Sequence, residues 1–510
     1  MRALNPDLLK HSPLRGAVLA WHALWLGVLL SGAPLASQAQ VQSAPGPSMG
    51  QAAAPREAIA PARAGLPLRA SAIGDRMNAS LLAQVRTGDA GSDVALQRMA
   101  ALILESLDVH PDVQAVTQQV GASQSAITEA RSGWLPQVSA SADAGERRAT
   151  NSTVANATVT TQSGLGYGAS VRQLLYDFGT TSATIDSARA REEAAQIRLQ
   201  SRRSDVALRG ASAWLELERS RQLRALAEDN LRSRNDIVEL VQERFEVGGS
   251  SRADVIRAQA RSADARAALV TADTALRSAL PAYREAFGRE PQATDLPANV
   301  VLPTRGSADA APQTLTQMAE RFGGVRESLA LLNSGRADAR AADGRTKPVF
   351  NVELNGNRRE HGIGGAPTTD TAALVVMRYN LFTGYAERAR REQAWYRVGQ
   401  TEQELASLIR QVERNIEQAQ AQVDNADAIL NSRQSAVQTA SESLMAVKEL
   451  FAFNRGSLLD LLRVQEDLYN AGRDLINASI DRRIAQYRLL HLVSDLEPRL
   501  TQAAGVSPRP

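Results

Sequence analysis

Not one cysteine stands among the 510 residues. Disulfide staples, thiolate metal ligands, a thiol nucleophile and a lipid carried on an N-terminal cysteine are therefore all excluded. Aromatics amount to only 4% against 44% hydrophobic residues overall. A chain rich in Ala, Arg, Gln and Ser and poor in bulky core residues favours long helices packed through small side chains over a thick globular core. Strong charge of one sign is lacking too: 58 basic and 55 acidic residues are interleaved along the chain. That pattern fits a solvated helical surface and gives no basic tract for nucleic acid. Of five histidines, His11 and His22 lie near the N-terminus, and His110, His361 and His491 are isolated, without metal-ligand spacing. Beyond residues 17–30, no stretch approaches the roughly 18 to 20 apolar residues that a spanning helix needs. No positive pattern for an enzyme or a cofactor is present. Gly164-x-Gly166-x-Gly168 sits inside an alternating segment, where small residues on one strand face explain it better than a dinucleotide fingerprint. The carboxylates Glu192, Glu193, Asp205, Glu216 and Glu218 fall among arginines and read as solvated ion pairs.

What is there begins with an export signal. Arg2, Lys10 and Arg15 precede an apolar stretch from Ala17 to Leu30, and Ser37-Gln38-Ala39 supplies a small-x-small cleavage site, so residues 1–39 read as a cleaved signal peptide. Residues 40–92 are rich in Pro and Ala and read as a disordered extension, with a short helix near Ala79 to Val85.

The rest of the chain is duplicated. An alternating segment (Gly164 to Val171), a turn (Tyr176-Asp177-Phe178-Gly179), a proline-free run and a Gly/Ser turn (Val247 to Ser251) recur about 205 residues later as Ala372 to Tyr379, Asn380 to Gly384, a second proline-free run and Asn454 to Ser457. Phe178 corresponds to Phe382, Gly179 to Gly384 and Asp254 to Asp460. The repeats span residues 93–290 and 314–497, joined by a proline-rich linker at 291–313 and followed by a tail at 498–510.

Thr180 to Val247 and Tyr385 to Phe453, as single helices, are each roughly 100 Å long. Positions 199, 206, 213, 227 and 241, with 217, 231, 238 and 245, form two seven-residue apolar series, the pattern of helices packed side by side. Ser220, Arg224 and Arg234 interrupt the series, as suits a wall of helices with a wet face. Shorter helices at Val94 to Gly133 (broken near Asp108 and Pro111), Arg252 to Phe287, Leu315 to Ala342 and Ser457 to Leu496 stack end to end beside the long ones. Four strands are expected, at Gln137 to Ala144, Gly164 to Leu175, Phe350 to Asn357 and Thr371 to Leu381, with Glu146 to Gln162 as a loop. At roughly 8 to 12 residues with one apolar face, they match tilted strands that cross a bilayer. Four cannot close a barrel, so spanning strands must pool with those of other copies, twelve in a trimer. A small soluble sheet on a helical body is the alternative.

The chain resembles the TolC family of bacterial outer-membrane channels. The residues that carry the resemblance are the duplicated turns Leu175-Tyr176-Asp177-Phe178-Gly179 and Tyr379 to Gly384, the strand entry Leu135-Pro136-Gln137, and the turns Arg244 to Gly248 and Phe451 to Asp460. The resemblance implies a homotrimer in the outer membrane, mainly α with a β-barrel portion: a 12-stranded transmembrane barrel above a periplasmic α-barrel of antiparallel coiled coils. It implies a periplasmic adaptor, and through it an inner-membrane ABC transporter or pump, as partners, and no catalysis. By the same resemblance, Val247, Gly248, Gly249, Ser250 and Ser251 with Asn454, Arg455, Gly456 and Ser457 are the adaptor-facing tips. Tyr176, Gly179, Phe382 and Gly384 mark the strand-to-helix junctions, and Asp460 and Arg463 are candidates for the periplasmic gate. Arg463 stands where some relatives carry an acidic residue, which leaves an Asp460 to Arg463 pair at (i, i+3) open. For Asp254, a role at the helix start is the expectation. Type I protein secretion leads, from the missing lipidated cysteine and the Arg-Gly-Ser-Leu-Leu-Asp tip. Drug or metal efflux, or a soluble periplasmic coiled-coil scaffold, are the other readings.

Overall fold

The computed structural model describes residues 74–86, 92–151, 158–292, 295, 314–360 and 367–505. The expected signal peptide, most of the extension and linker, and His361 lie outside the described residues.

Ten helices and four strands alternate in two similar halves among the described residues. The first half runs α1 (Asp75–Arg86), α2 (Ser92–Val109), α3 (Pro111–Ser132), β1 (Gln137–Asn151), β2 (Thr158–Tyr176), α4 (Thr180–Glu246) and α5 (Arg252–Phe287). The second runs α6 (Leu315–Arg321), α7 (Gly323–Gly344), β3 (Val349–Arg359), β4 (Thr368–Arg378), α8 (Ala386–Ala452), α9 (Leu458–Leu492) and α10 (Leu496–Ala503). The two rods, α4 and α8, have 67 residues each. Proline-free sequence, long straight-chain residues and alanine make such length sustainable. α3 and α5 follow one another along α4, while α7 and α9 line both rods. The break between α2 and α3 falls at the expected place. Pro111 takes the first position of α3, and the His110 ring nitrogen accepts from the Asp112 amide at 3.2 Å.

The strands form one antiparallel sheet in the order β1-β2-β3-β4. Register aligns Val138 with Val171, Val171 with Leu354, and Leu354 with Ala373, so one face is a continuous apolar surface. It is left bare: Val138 is 73% exposed and Val375 70%. The opposite face carries the Ser139–Ser170 hydroxyl pair at 2.7 Å, and Glu353 bridging Arg172 (3.2 Å) and Arg378 (2.6 Å). Gly168 makes room there, since a Cβ would lie 2.2 Å from Asn357 Oδ1. Gly166 is tight as well, with an added Cβ 2.7 Å from Asp143 Oδ1, so these two glycines lie on one strand face as small residues, as expected.

Apolar packing concentrates at two levels of the rods. One cluster gathers α2, the middle of α4, the end of α5, α9 and α10 around Trp214, Tyr283 and Tyr487. Trp214 Nε1 donates to the Asp295 carbonyl at 2.9 Å, and the Asp295 carboxylate takes Arg98 at 3.1 Å and Arg289 at 2.7 Å. The second cluster lies towards the hairpin ends, where α1, α4, α8 and α9 meet.

Several sequence expectations need correction. Glu146 to Gln162 is not a loop throughout: β1 continues to Asn151 and β2 begins at Thr158. Polar residues on both faces hide the alternation there, yet β-branched Thr158, Val159, Thr160 and Thr161 suit a pleat. The short helix expected near Ala79 to Val85 is present but longer, Asp75–Arg86, and it is packed rather than part of a disordered extension, since Met77 and Leu81 are completely buried. Leu315 to Ala342 is two helices, divided at the extended Phe322 and followed by two glycines that weaken helix continuation. Residues 498–510 do not begin a tail. Pro498 sits in the first turn of α10, whose Leu496 and Leu500 are fully buried. Arg234 does not face water, and Glu218 is not a solvated ion-pair member. Both lie inside the seam where α4 meets α9, 1% and 3% exposed. Burial lowers the pKa of Arg234 and raises that of Glu218. Phe245, placed in an apolar series, is exposed.

Candidate functional site

Each half ends in a helical hairpin, and the two turns form the candidate site. At the first, α4 stops at Glu246 and Gly248 takes a left-handed φ of +80°, with Gly249 N donating to the Arg244 carbonyl at 2.7 Å. α5 then starts with a closed capping box. Ser251 Oγ accepts from Asp254 N at 3.1 Å, while the Asp254 carboxylate accepts from Ser251 N at 3.2 Å and from its hydroxyl at 2.8 Å. The Ser251 hydroxyl is the main cause that holds the Asp254 carboxyl below its ordinary pKa. Asp254 therefore has the expected helix-start role.

The second turn is built differently from the same Ser-x-x-Asp pattern. Asn454 adopts φ +57°, a conformation asparagine tolerates better than most residues, and Arg455 N and Gly456 N donate to the Leu450 carbonyl at 2.9 and 3.0 Å. A Cβ on Gly456 would lie 2.9 Å from Phe451 N, so only glycine fits. Ser457 Oγ accepts from Leu459 N at 3.1 Å rather than from Asp460 N. Asp460 is left exposed with its carboxylate outside the cap. Arg463 is exposed as well, and the structure forms no Asp460–Arg463 pair among the described residues. Val247, Gly248, Gly249, Asn454, Arg455 and Ser457 are exposed or at the surface of the turns, as are the apolar Phe245, Phe453 and Leu459.

One residue that sequence reasoning left unassigned joins the two turns. Arg244 stacks on Phe451 with its guanidinium carbon 4.2 Å from the ring centroid, and Nη2 donates to the Phe451 carbonyl at 3.1 Å. Ten residues back, Arg234 donates to the Leu462 carbonyl at 3.0 Å and to Glu466 at 2.7 Å. Two arginines one heptad-and-a-half apart on a helix bearing apolar neighbours were the available signal.

At the other end the strands pass into the rods through paired left-handed residues. In the first junction these are Phe178 (φ 55°) and Gly179 (φ 88°), and in the second Gly384 (φ 62°) and Tyr385 (φ 65°). The glycine thus comes second in one copy and first in the other. Asp177, buried, accepts from Gly179 N at 3.1 Å and Thr181 N at 2.6 Å, starting α4. Tyr176, Phe382 and Tyr385 are exposed, Tyr176 against Phe178 and Phe382 against Tyr385 in edge-on ring pairs.

A family model described as outer membrane efflux protein matches residues 102–289 and 316–494, one block in each repeat. The chain belongs to the outer membrane efflux protein family. Among its relatives are the outer membrane efflux protein BepC of Brucella suis, 25% identical over 64% of this chain and 71% of that one, and the outer membrane protein TolC of Vibrio cholerae, 24% identical over 82% and 95%. The solved structure of VceC from Vibrio cholerae superposes over 78% of this chain and 95% of its own with a TM-score of 0.66 at 17% identity, a likeness of fold. The sheet is accordingly the outer-membrane part of this efflux-family chain, a portion of a β-barrel, and the helices are its periplasmic extension. No described helix is long and apolar enough to cross a membrane.

Proposed function

We propose that three copies of this chain pool their strands into a 12-stranded barrel and their rods into a tunnel, making the exit duct of a tripartite export machine. The observation that carries this reading is the sheet itself. It has an apolar face bare to solvent, a polar face of bridged charges, and two edges, β1 and β4, that are unpaired among the described residues, at the end of rods roughly 100 Å long. In lipid an open edge leaves backbone groups unsatisfied, so β1 of one copy and β4 of the next have reason to pair. The tips, with exposed Val247, Phe453 and Leu459 around the turn residues, are the proposed seat of a periplasmic adaptor carrying an inner-membrane ABC transporter or pump. Asp460, free of its cap, is the proposed gate residue, with Arg463 one turn on.

For the cargo, we infer a polypeptide moved by type I secretion, supported by the absence of any cysteine that could carry a lipid. Small-molecule efflux is the second reading, favoured by the efflux protein BepC among the relatives. The duct reading is tested by fractionation and planar bilayers. The protein should stay with detergent-extracted outer membrane as a trimer and conduct ions. Release by osmotic shock, as expected of a soluble scaffold, would refute it. Export of a co-expressed ABC-transporter substrate, set against drug susceptibility of a deletion strain, separates the two cargoes.

A further inference from the structure

The helix α1 belongs to neither repeat, yet it is seated in the groove that α4 and α8 form over α9. Gly74, at its start, lies at the level of Ser233 on α4 and Leu444 on α8: a Cβ there would be 3.5 Å from the first and 3.3 Å from the second. Two turns later Leu81 faces α9 at Gly472, where an added Cβ would come within 2.7 Å of the leucine methyls. Met77 and Leu81, four residues apart on one helix face, have no exposure at all. The flanks are charge-matched. Asp75 accepts from Lys448 of α8 at 2.5 Å, the lysine itself being buried, and Arg76 acts on Asp236 of α4 as an opposing charge. So short a helix with one apolar face does not hold its conformation by itself, and its order comes from the groove.

The groove walls belong to different hairpins, α4 to the first and α8 with α9 to the second. Between the hairpins the contact at this level combines the apolar cluster, in which Leu226 of α4 lies against Gly472 of α9, with polar links made by Arg234 to Glu466 and the Leu462 carbonyl and by Gln465 to Ser233. Polar partners of this kind can be exchanged for others, or for water, as one hairpin slides on the other. The knobs of α1 cannot follow both walls at once.

We propose that α1 is a staple, which fixes the second hairpin against the first in the resting chain and has to leave its groove before the tips can part. This rests on the duct reading. It adds a part that lies outside the repeats and is supplied by the chain's own N-terminal segment.

The chain has no natural cysteine, so a cysteine pair reports on the staple without background. In the full-length protein carrying Leu81→Cys and Gly472→Cys, oxidation should join the two positions in most molecules and hold conductance at or below its resting level. Reduction should restore the wild-type level. Met77→Asp with Leu81→Asp should unseat the helix and raise resting conductance several-fold. Lys448→Glu should do so to a lesser degree and be rescued by Asp75→Lys. If the cysteines do not join, the helix is not seated and the proposal fails. If the unseating variants form trimers that conduct as the wild type does, the staple has no hold on the tip and the proposal fails while the duct stands. If wild type and every variant are silent in bilayers, the duct reading falls and takes the staple with it.

Discussion

The Arg244 guanidinium carbon stands 4.2 Å from the centroid of the Phe451 ring, and the same side chain donates to the Phe451 carbonyl. A single side chain thus ties the end of one rod to the end of the other. A desolvated cation on an aromatic face together with a charge-assisted hydrogen bond is worth about 2–3 kcal/mol. Arg244→Ala should therefore speed hydrogen exchange of the amides at the ends of α4 and α8. Arg244→Lys should recover only part of the protection, because an ammonium cannot stack as the planar guanidinium does.

The two hairpin turns differ in what their aspartates do. Asp254 closes a capping box, and Asp254→Ala should cost about 1 kcal/mol in urea unfolding. Because the folded carboxyl is lowered from its ordinary 3.8, its contribution is fully present above that value and is lost as pH falls through the lower folded pKa. The gap between wild type and variant should be constant from neutral pH down to about 5 and narrow below about 4.

Asp460 makes no such bond, so its removal should leave stability unchanged and alter the pore. Asp460→Ala should raise leak conductance in planar bilayers, and Arg463→Ala should shift cation preference. Unchanged conductance and selectivity in both would leave the second turn with docking alone.

His491 supplies a pH dependence elsewhere. Its ring accepts from or donates to Ser204 Oγ at 2.9 Å within the buried belt of α4 and α9. Burial lowers its pKa, opposed by Asp205 at 3.4 Å. A histidine lowered on folding stabilises the fold above its unfolded pKa of 6.5, and the contribution declines as pH drops from there through the folded value. The melting temperature of the purified protein should fall between pH 7.5 and 5.5, and His491→Gln should flatten that decline.

Gly344 ends α7 hard against the start of α4: a Cβ would lie 2.3 Å from Thr180 Oγ1 and 3.2 Å from its Cα. Since the nearer obstacle sits on a β-branched residue with little freedom, Gly344→Ala should cost about 1–3 kcal/mol in chemical unfolding. Thr180→Ala in the same chain should recover part of the loss. Gly121→Ala, with nothing within 4 Å of the added carbon, serves as the control.

The rods were legible within one residue at each end, because a long proline-free run with a left-handed turn at both ends leaves the backbone little choice. The sheet was legible as four strands but not in length, since Thr158 to Gln162 pairs through backbone groups that side-chain alternation does not report. α1 was legible as a short helix near Ala79 to Val85, but its first turn and its burial were not. Its anchors Met77 and Leu81 stand in a Pro/Ala-rich extension, and the cluster that buries them is drawn from residues between Leu226 and Ile476, far along the chain. The inward turn of Arg234 was hidden for the same reason, its acceptors being on α9. Ser251-Arg252-Ala253-Asp254 and Ser457-Leu458-Leu459-Asp460 share one pattern, yet only the first closes its box, a difference set by which amide the serine meets.

The margins of β1 and β4 also bear on inheritance. If three chains make a barrel, as proposed, a copy whose β4 margin cannot pair spoils every ring it enters. A cell making such chains and sound ones in equal amounts would complete only roughly one ring in eight from sound chains alone. Lesions at these margins should thus behave as dominant over a healthy second gene, whereas lesions confined to a hairpin turn should be masked by it more readily.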